Sequence, residues 1–246
     1  MIPSFSFVTS RTRLASSTIL IVCLSCSTVL AQKADRAKLE TAARRAGKAA
    51  KVLTQLSALP PGETIAKELI AKAQAIAVFP DTDKVNMLFL KMMKGYGMVS
   101  RRVPGGWSLP AYYGFAVLDR GWSKTKSGEP GIIMLFMNED TVKRFEKDHI
   151  SLEAEAGPVG ELTRETGSKI RGADIIMYAL SDGTLRGVSV EDDYSTQSGI
   201  NSDNNVNKAV YGLKARDVLT GKTPLGPPPP HEIAEFQEEL FKLSKQ

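Results

Sequence analysis

Apolar residues between positions 33 and 59 recur every three or four places: Leu39, Ala42, Ala43, Ala46, Ala49, Ala50, Leu53 and Leu56. That is the period of a helix with one buried stripe, and the abundance of Ala favours it further. The spacing predicts a helix over 33–59, stopped by Pro60-Pro61-Gly62, and a shorter one over 63–74 with Ile65, Leu69 and Ile70 turned inward. From Ala75 onward the pattern changes to short apolar runs punctuated by Gly, Pro and Asp. Strands are expected at 75–79 (ended by Pro80), 85–93, 96–102, 112–118, 132–137, 174–180 and 185–191. Asp182-Gly183, between the last two, is the pair a tight hairpin turn requires, because both residues tolerate positive φ. A short helix fits 139–147, and one or two helical turns fit 204–218. Pro227 to Pro230 read as a stiff polyproline spacer or arm. Ile233, Phe236, Leu240 and Leu243 then mark a terminal amphipathic helix. No internal repeat is visible. The pattern predicts an α+β fold: a strand-rich, mainly antiparallel curled sheet or barrel-like core, bracketed by N-terminal and C-terminal helices.

Composition narrows the classes. The 246 residues are 42% apolar and 24% charged, enough for a sizeable core and too polar for a polytopic membrane protein. A formal net charge of +5 permits an anionic partner without demanding one. Residues 1–31 read as a secretory signal: Arg11 and Arg13 form a basic start without acids, 14–24 is a short apolar stretch, and Val29-Leu30-Ala31 offers a cleavage site before Gln32. The expected location is therefore secreted or periplasmic. Both cysteines, Cys23 and Cys26, fall inside this segment. The mature chain would carry no thiol, excluding Cys catalysis, Cys-ligated zinc and disulfides, and a net charge of +3. A lipoprotein anchor on either Cys remains an alternative. The layout expected is 1–31 signal, 32–222 one domain (helical over 33–74, strand-rich over 75–200), and 223–246 a Pro-rich arm with the terminal helix.

Enzymatic and metal chemistry find little support in the residues. His149 and His231 are far apart, and neither has a second ligand at metal-binding spacing. There is no nucleophile elbow, since Gly187-Val188-Ser189 is followed by Glu191 where a Gly should stand. Gly95-Tyr96-Gly97 leads into a strand and not a helix, unlike a phosphate loop. The acids Glu191, Asp192 and Asp193 could bind a cation or exchange protons, or could simply be the solvated end of a strand. No cofactor, no metal and no nucleic acid are expected, and the protein reads as a non-enzyme.

The N-terminal helix has more content. Lys33, Arg36, Lys38, Arg44, Arg45, Lys48 and Lys51 face only Asp35 and Glu40 as acids within it. Such a surface suits an anionic membrane, and it equally suits a solvated helix packed by its Ala/Leu stripe. Arg101 and Arg102 beside Trp107 form a second candidate patch, in which Trp107 is either an interface anchor or an ordinary core aromatic.

Several blocks resemble the SYLF domain family, also called Ysc84 or DUF500. Ala75-Ile76-Ala77-Val78-Phe79-Pro80 resembles its opening strand, and Gly106-Trp107-Ser108-Leu109-Pro110-Ala111-Tyr112-Tyr113 its Trp-Ser-x-Pro-x-aromatic motif. Ala156-Gly157-Pro158-Val159-Gly160 is similar to a characteristic loop. Ala173-Asp174-Ile175 to Tyr178 and Gly187 to Glu191 resemble the closing hairpin, and Asn207 to Gly212 the Asn…Tyr-Gly ending. The blocks follow family order over 33–219, leaving the Pro-rich segment and terminal helix outside. Two departures stand out: 85–94, with Met87, Met92 and Met93, replaces a Gly-rich stretch, and Asp192 replaces a Gly. The resemblance implies a lipid-binding module. Eukaryotic members are associated with phosphoinositides and actin, and for an exported bacterial-type member anionic envelope phospholipid is the implied counterpart.

These strands combine into one expectation: a non-enzymatic lipid-binding protein of the cell envelope, contacting anionic phospholipid headgroups through Lys33, Arg36, Arg44, Arg45, Lys48 and Lys51, with Arg101, Arg102 and Trp107 as a second patch. The alternative is an envelope structural or protein-interaction module, a relative of the actin-binding Ysc84 type, that captures a protein partner with its Pro-rich arm and terminal helix.

Overall fold

The computed structural model describes residues 15–87, 90–118, 130–191, 198–225 and 228–245, with side chains described from Asp35 onward except at 84–91 and 118. Helix α1 (Ala15–Ala58) buries Ala42, Ala46, Ala49, Leu53 and Leu56 completely, the stripe the spacing predicts. It starts eighteen residues earlier than the apolar period alone suggests. The export-signal reading concerns 1–31, whose side chains lie outside the described residues. Pro60-Pro61 ends α1, and Pro61 opens a single 3-10 turn. Helix α2 (Lys67–Lys72) is shorter than the expected 63–74, because Ile65 pairs with Val159 in an isolated bridge instead of joining a helix.

Strands β1 (Ala75–Met87) and β2 (Leu90–Val103) form a long antiparallel hairpin. The break expected at Pro80 does not occur. β1 runs through it at a register shift between Val78 and Asp81, a kind of place where a strand can do without an N–H. At that shift Gly97 of β2 crosses so closely that a Cβ on it would sit 2.0 Å from the Val78 carbonyl oxygen. Segment 85–93 is not one strand: it folds back on itself, Val85 pairing with Met92 and Met87 with Leu90.

The remaining strands are β3 (Gly106–Trp107), β4 (Ala111–Leu118), β5 (Gly131–Phe136), β6 (His149–Ser151), β7 (Glu155–Ala156), β8 (Ile175–Ser181), β9 (Thr184–Gly187) and β10 (Gly199–Ser202). Ten strands share one curled sheet, a half-barrel in the order β6-β10-β4-β2-β1-β5-β8-β7, with β3 on β2 and β9 on β8. Every pair of described strands is antiparallel except β7 with β8. The β8–β9 turn is the expected Asp182-Gly183, with φ of 49° and 71°.

All six residues of β5 are buried, so the sheet is covered on both faces there. Phe79 meets Phe115 edge-on at 4.6 Å, and Phe145 stands edge-on to both Phe136 (4.8 Å) and Tyr113 (5.2 Å). α1 lies against β1 and β2. The short helices α3 (Glu139–Lys143), α4 (Arg164–Lys169), α5 (Asn204–Tyr211) and α6 (Ala215–Leu219) fill the strand connections. α7 (His231–Lys245) packs along α1 and buries Ile233, Phe236, Leu240 and Leu243, as its spacing predicts. Among the described residues no helix is long and apolar enough to cross a membrane.

Candidate functional site

The residues that carry the family resemblance hold the fold together. Ser108 Oγ accepts from the Arg101 N–H at 3.1 Å and donates to the Leu109 carbonyl at 2.8 Å, fixing the turn from β3 into β4. The Pro110 carbonyl accepts from the Tyr211 hydroxyl at 2.7 Å, and the Tyr112 hydroxyl reaches the Ala42 carbonyl of α1 at 3.1 Å. Asn207, fully buried on α5, acts on β4 as a missing strand would. Its Oδ1 accepts from the Tyr112 N–H at 2.8 Å, and its Nδ2 donates to the Tyr112 carbonyl at 2.9 Å and to the Asp203 carbonyl at 3.0 Å. The loop 156–160 packs against Tyr178, whose hydroxyl donates to the Pro158 carbonyl at 3.2 Å. Gly157 lies flat on that ring, and a Cβ there would be 2.0 Å from its Cζ.

The α1 cations do not make one unopposed face. Lys33 lies in α1, but its side chain is outside the described ones. Arg36 pairs with Glu40 at 3.1 Å. Arg45 points to another side of the helix, pairs with Asp203 at 2.8 Å and covers the Tyr96 ring at 4.5 Å. Lys48 pairs with Asp81 on β1. Arg44 and Lys51 have no ion-pair partner among the described residues. With Lys48 they follow one another at i, i+4 and i+7, the spacing of one helix face, and line a groove of about 550 Å³ between α1 and α7. Its other wall is acidic: Glu232, Glu235, Glu238 and Glu239. Those carboxylates are engaged within α7, Glu232 and Glu235 with His231 (3.3 and 3.8 Å), Glu238 and Glu239 with Lys242 (2.9 Å each).

Arg101, Arg102 and Trp107 do come together, as a structural clasp. Arg101 pairs with Glu139 of α3 at 2.9 Å. Arg102 donates to the carbonyls of Ala73 (3.0 Å) and Ile70 (3.2 Å), serving the end of α2, while its guanidinium lies 4.2 Å from the centroid of the Trp107 ring. Partial burial draws that guanidinium below its ordinary pKa. Trp107 is half-buried, and its indole N–H is enclosed without a hydrogen-bond partner among the described residues.

Of the acid cluster, Glu191 is exposed four residues past the end of β9, next to Val190, which bridges to Ala154, while Asp192 and Asp193 lie outside the described residues. His149 is bonded to Asn201 at 2.8 Å and His231 sits on α7. Among the described residues no three His, Cys, Asp or Glu side chains are grouped to hold a metal ion.

One basic feature escapes sequence reasoning. Between α2, α4 and the end of β5 is a cleft of about 480 Å³ rimmed by Lys72, Arg164 and Arg171, with Leu69, Met137 and Leu162 beneath, and no acidic residue lines it. None of the three cations has an ion-pair partner among the described residues. α4 has no apolar period to betray it. The only local signal is the pair Thr163 and Thr166, which bond reciprocally as a capping box (3.1 and 2.9 Å).

Residues 130–243, from the entry to β5 through α7, match the model of the Ysc84 family, described as Las17-binding protein actin regulator. The match takes in the Pro-rich segment and α7, which the motif blocks leave outside, and it leaves out the blocks at 75–80 and 106–113. Searches of curated proteins and of solved structures find no match. Motif blocks in family order, the structural work those residues do and the matched segment lead to one conclusion: over residues 130–243 the chain is of the SYLF (Ysc84) type, a binding-domain family of the lipid- and actin-binding kind.

Proposed function

We propose that this protein is a non-enzymatic lipid-binding protein of the cell envelope, exported through its N-terminal segment, that contacts anionic phospholipid headgroups through basic side chains. The family match over residues 130–243 supports a binding module of this general type. The observation that carries the finer reading is the sorting of α1. Most of its Ala/Leu stripe is inside the core, with Leu39 and Ala43 partly buried, and Arg44, Lys48 and Lys51 stand exposed in a row along the groove whose far wall carries the α7 carboxylates. The Lys48–Asp81 pair is about half exposed on both sides, and such surface pairs are weak enough for a phosphate to displace. Each basic residue brought to an anionic membrane contributes roughly 1 kcal/mol. The row is therefore a modest, salt-sensitive contact.

Co-sedimentation of the full chain with phosphatidylglycerol vesicles and with neutral phosphatidylcholine vesicles tests the reading. Binding to the anionic vesicles only is expected, weakened at least about thirtyfold by Arg44→Glu with Lys51→Glu, since two cations at roughly 1 kcal/mol each are lost and reversed. Equal binding to both vesicle types, or to neither, would refute it. The protein-interaction alternative draws less support, since the apolar stripe of α7 is spent inside this chain, with Phe236 and Leu240 fully buried.

A further inference from the structure

The two basic pockets differ in sign. The α1–α7 groove sets three cations against four carboxylates, whereas the α2–α4 cleft sets three cations against none. Of the acids beside the lining residues in sequence, Glu165 holds Lys169 at 3.0 Å, Glu139 holds Arg101 at 2.9 Å, and Asp174 accepts from Arg144 at 2.6 Å and from Asn138 at 2.7 Å, while Glu68 and Glu161, without an ion pair among the described residues, do not line the cleft. Arg171 also borders a neighbouring pocket that contains Glu153 and Glu155, so Lys72 and Arg164 carry the least opposed charge. Beneath the cations the floor is apolar, with Met137 and Leu162 partly exposed and Leu69 buried. The volume lies within the usual range for small-ligand sites, roughly 300–1,000 Å³.

We propose that this cleft holds the headgroup of one anionic glycerophospholipid, with Lys72, Arg164 and Arg171 on its phosphate and the glycerol and first methylenes against Met137 and Leu162. The inference rests on the lipid-binding reading above and gives it a discrete site. Charge complementarity selects the phosphate, since Arg offers a planar fork to two of its oxygens and Lys a mobile point charge. The apolar floor selects a lipid over a free anion, because inorganic phosphate would leave Met137 and Leu162 uncovered. The row on α1 supplies non-specific attraction to a charged surface, and the cleft supplies recognition of a single molecule.

The test uses dihexanoyl phosphatidylglycerol, monomeric in solution, titrated calorimetrically into the full chain, with dihexanoyl phosphatidylcholine and inorganic phosphate as comparisons. The expected result is saturable binding of the phosphatidylglycerol, weakened at least tenfold by Lys72→Glu with Arg164→Glu and unchanged by Lys147→Glu with Lys208→Glu, two exposed cations elsewhere. Thermal melting checks that the variants fold, and Lys72→Gln with Arg164→Gln replaces the charge reversal if it does not. Undiminished binding in the cleft variant, no binding in the unaltered chain, or equal affinity for inorganic phosphate would each overturn the proposal. If the unaltered chain still binds anionic vesicles in those cases, the lipid-binding reading survives and only the cleft is lost. If it fails to bind vesicles as well, that reading falls too.

Discussion

Asn207 offers a sharp separation of fold from function. Its amide makes three hydrogen bonds in a fully buried site, one accepted from the Tyr112 N–H and two donated to the carbonyls of Tyr112 and Asp203. In Asn207→Ala the Tyr112 N–H is left buried on that side of β4 without an acceptor, which costs about 1–3 kcal/mol. The Tyr112 carbonyl is spared, because it also accepts from the Asp203 N–H at 2.9 Å. Adding a small cavity, a loss of about 3 kcal/mol is expected, or roughly 6–12 °C in Tm for a chain of this size. Asn207→Asp should be worse at neutral pH, since the oxygen replacing Nδ2 would face two carbonyl oxygens at 2.9–3.0 Å. Burial and those carbonyls would hold this new carboxyl above its unfolded pKa. Its cost is then smallest below pH ~4, where the acid is protonated in both states and can donate, and grows as pH rises. Differential scanning calorimetry from pH 4 to 8 reads both effects, and vesicle binding of the folded variants at low temperature should match the parent. A Tm change under 2 °C for Asn207→Ala, or selective loss of lipid binding with an unchanged Tm, would refute the assignment of this residue to the scaffold.

Three further outcomes are expected. Burial raises the hydroxyl pKa values of Tyr112, Tyr113, Tyr178 and Tyr211, so their contribution is intact below pH ~10 and is lost as pH climbs above it; tyrosinate absorbance from these residues should rise together with loss of the circular dichroism signal, and full ionisation within an intact fold would contradict this. Gly157→Ala would press a methyl into the Tyr178 ring and cost about 3 kcal/mol, partly recovered in Gly157→Ala with Tyr178→Leu; denaturant midpoints of the two variants decide it. Arg102→Lys loses the planar fork over the Ala73 and Ile70 carbonyls and the stacking on Trp107, for about 1–2 kcal/mol, read as an earlier thermal transition.

Much of the architecture is legible in the sequence because it is written in local period. The α1 stripe, the β8–β9 turn and the four buried positions of α7 all follow from spacing within one element. What fails is written between elements. Pro80 reads as a stop, yet β1 continues through it because a register shift against β2 removes the need for its N–H. Strand β10 and the two-residue strands β3 and β7 are too short to show alternation, and exist because longer neighbours offer them an edge. The cleft is invisible for the same reason: Lys72, Arg164 and Arg171 belong to segments that only the closure of the sheet between β5 and β8 brings together.

Charge is where the sequence is least reliable, for an electrostatic reason. A cation count on one helix weighs charges as if they met only solvent. A helix buried along one stripe is flanked by whatever packs beside it, and low-dielectric surroundings favour acids in those flanking places. Arg45 accordingly meets Asp203 across 158 positions of chain, and Lys48 meets Asp81 across 33. Arg44 and Lys51, left without such partners, still look across at the carboxylates of α7. The field felt by an approaching anion is set by what this cancellation leaves. Lys72, Arg164 and Arg171 sit on short elements with acids close by in sequence, Glu68, Glu161 and Glu165, yet none of these lines the cleft that the three cations share. Cations from separate segments can therefore share one cavity that neither segment announces alone, and a search for anion sites in related folds gains more from unpaired cations that share one cavity than from runs of Lys and Arg.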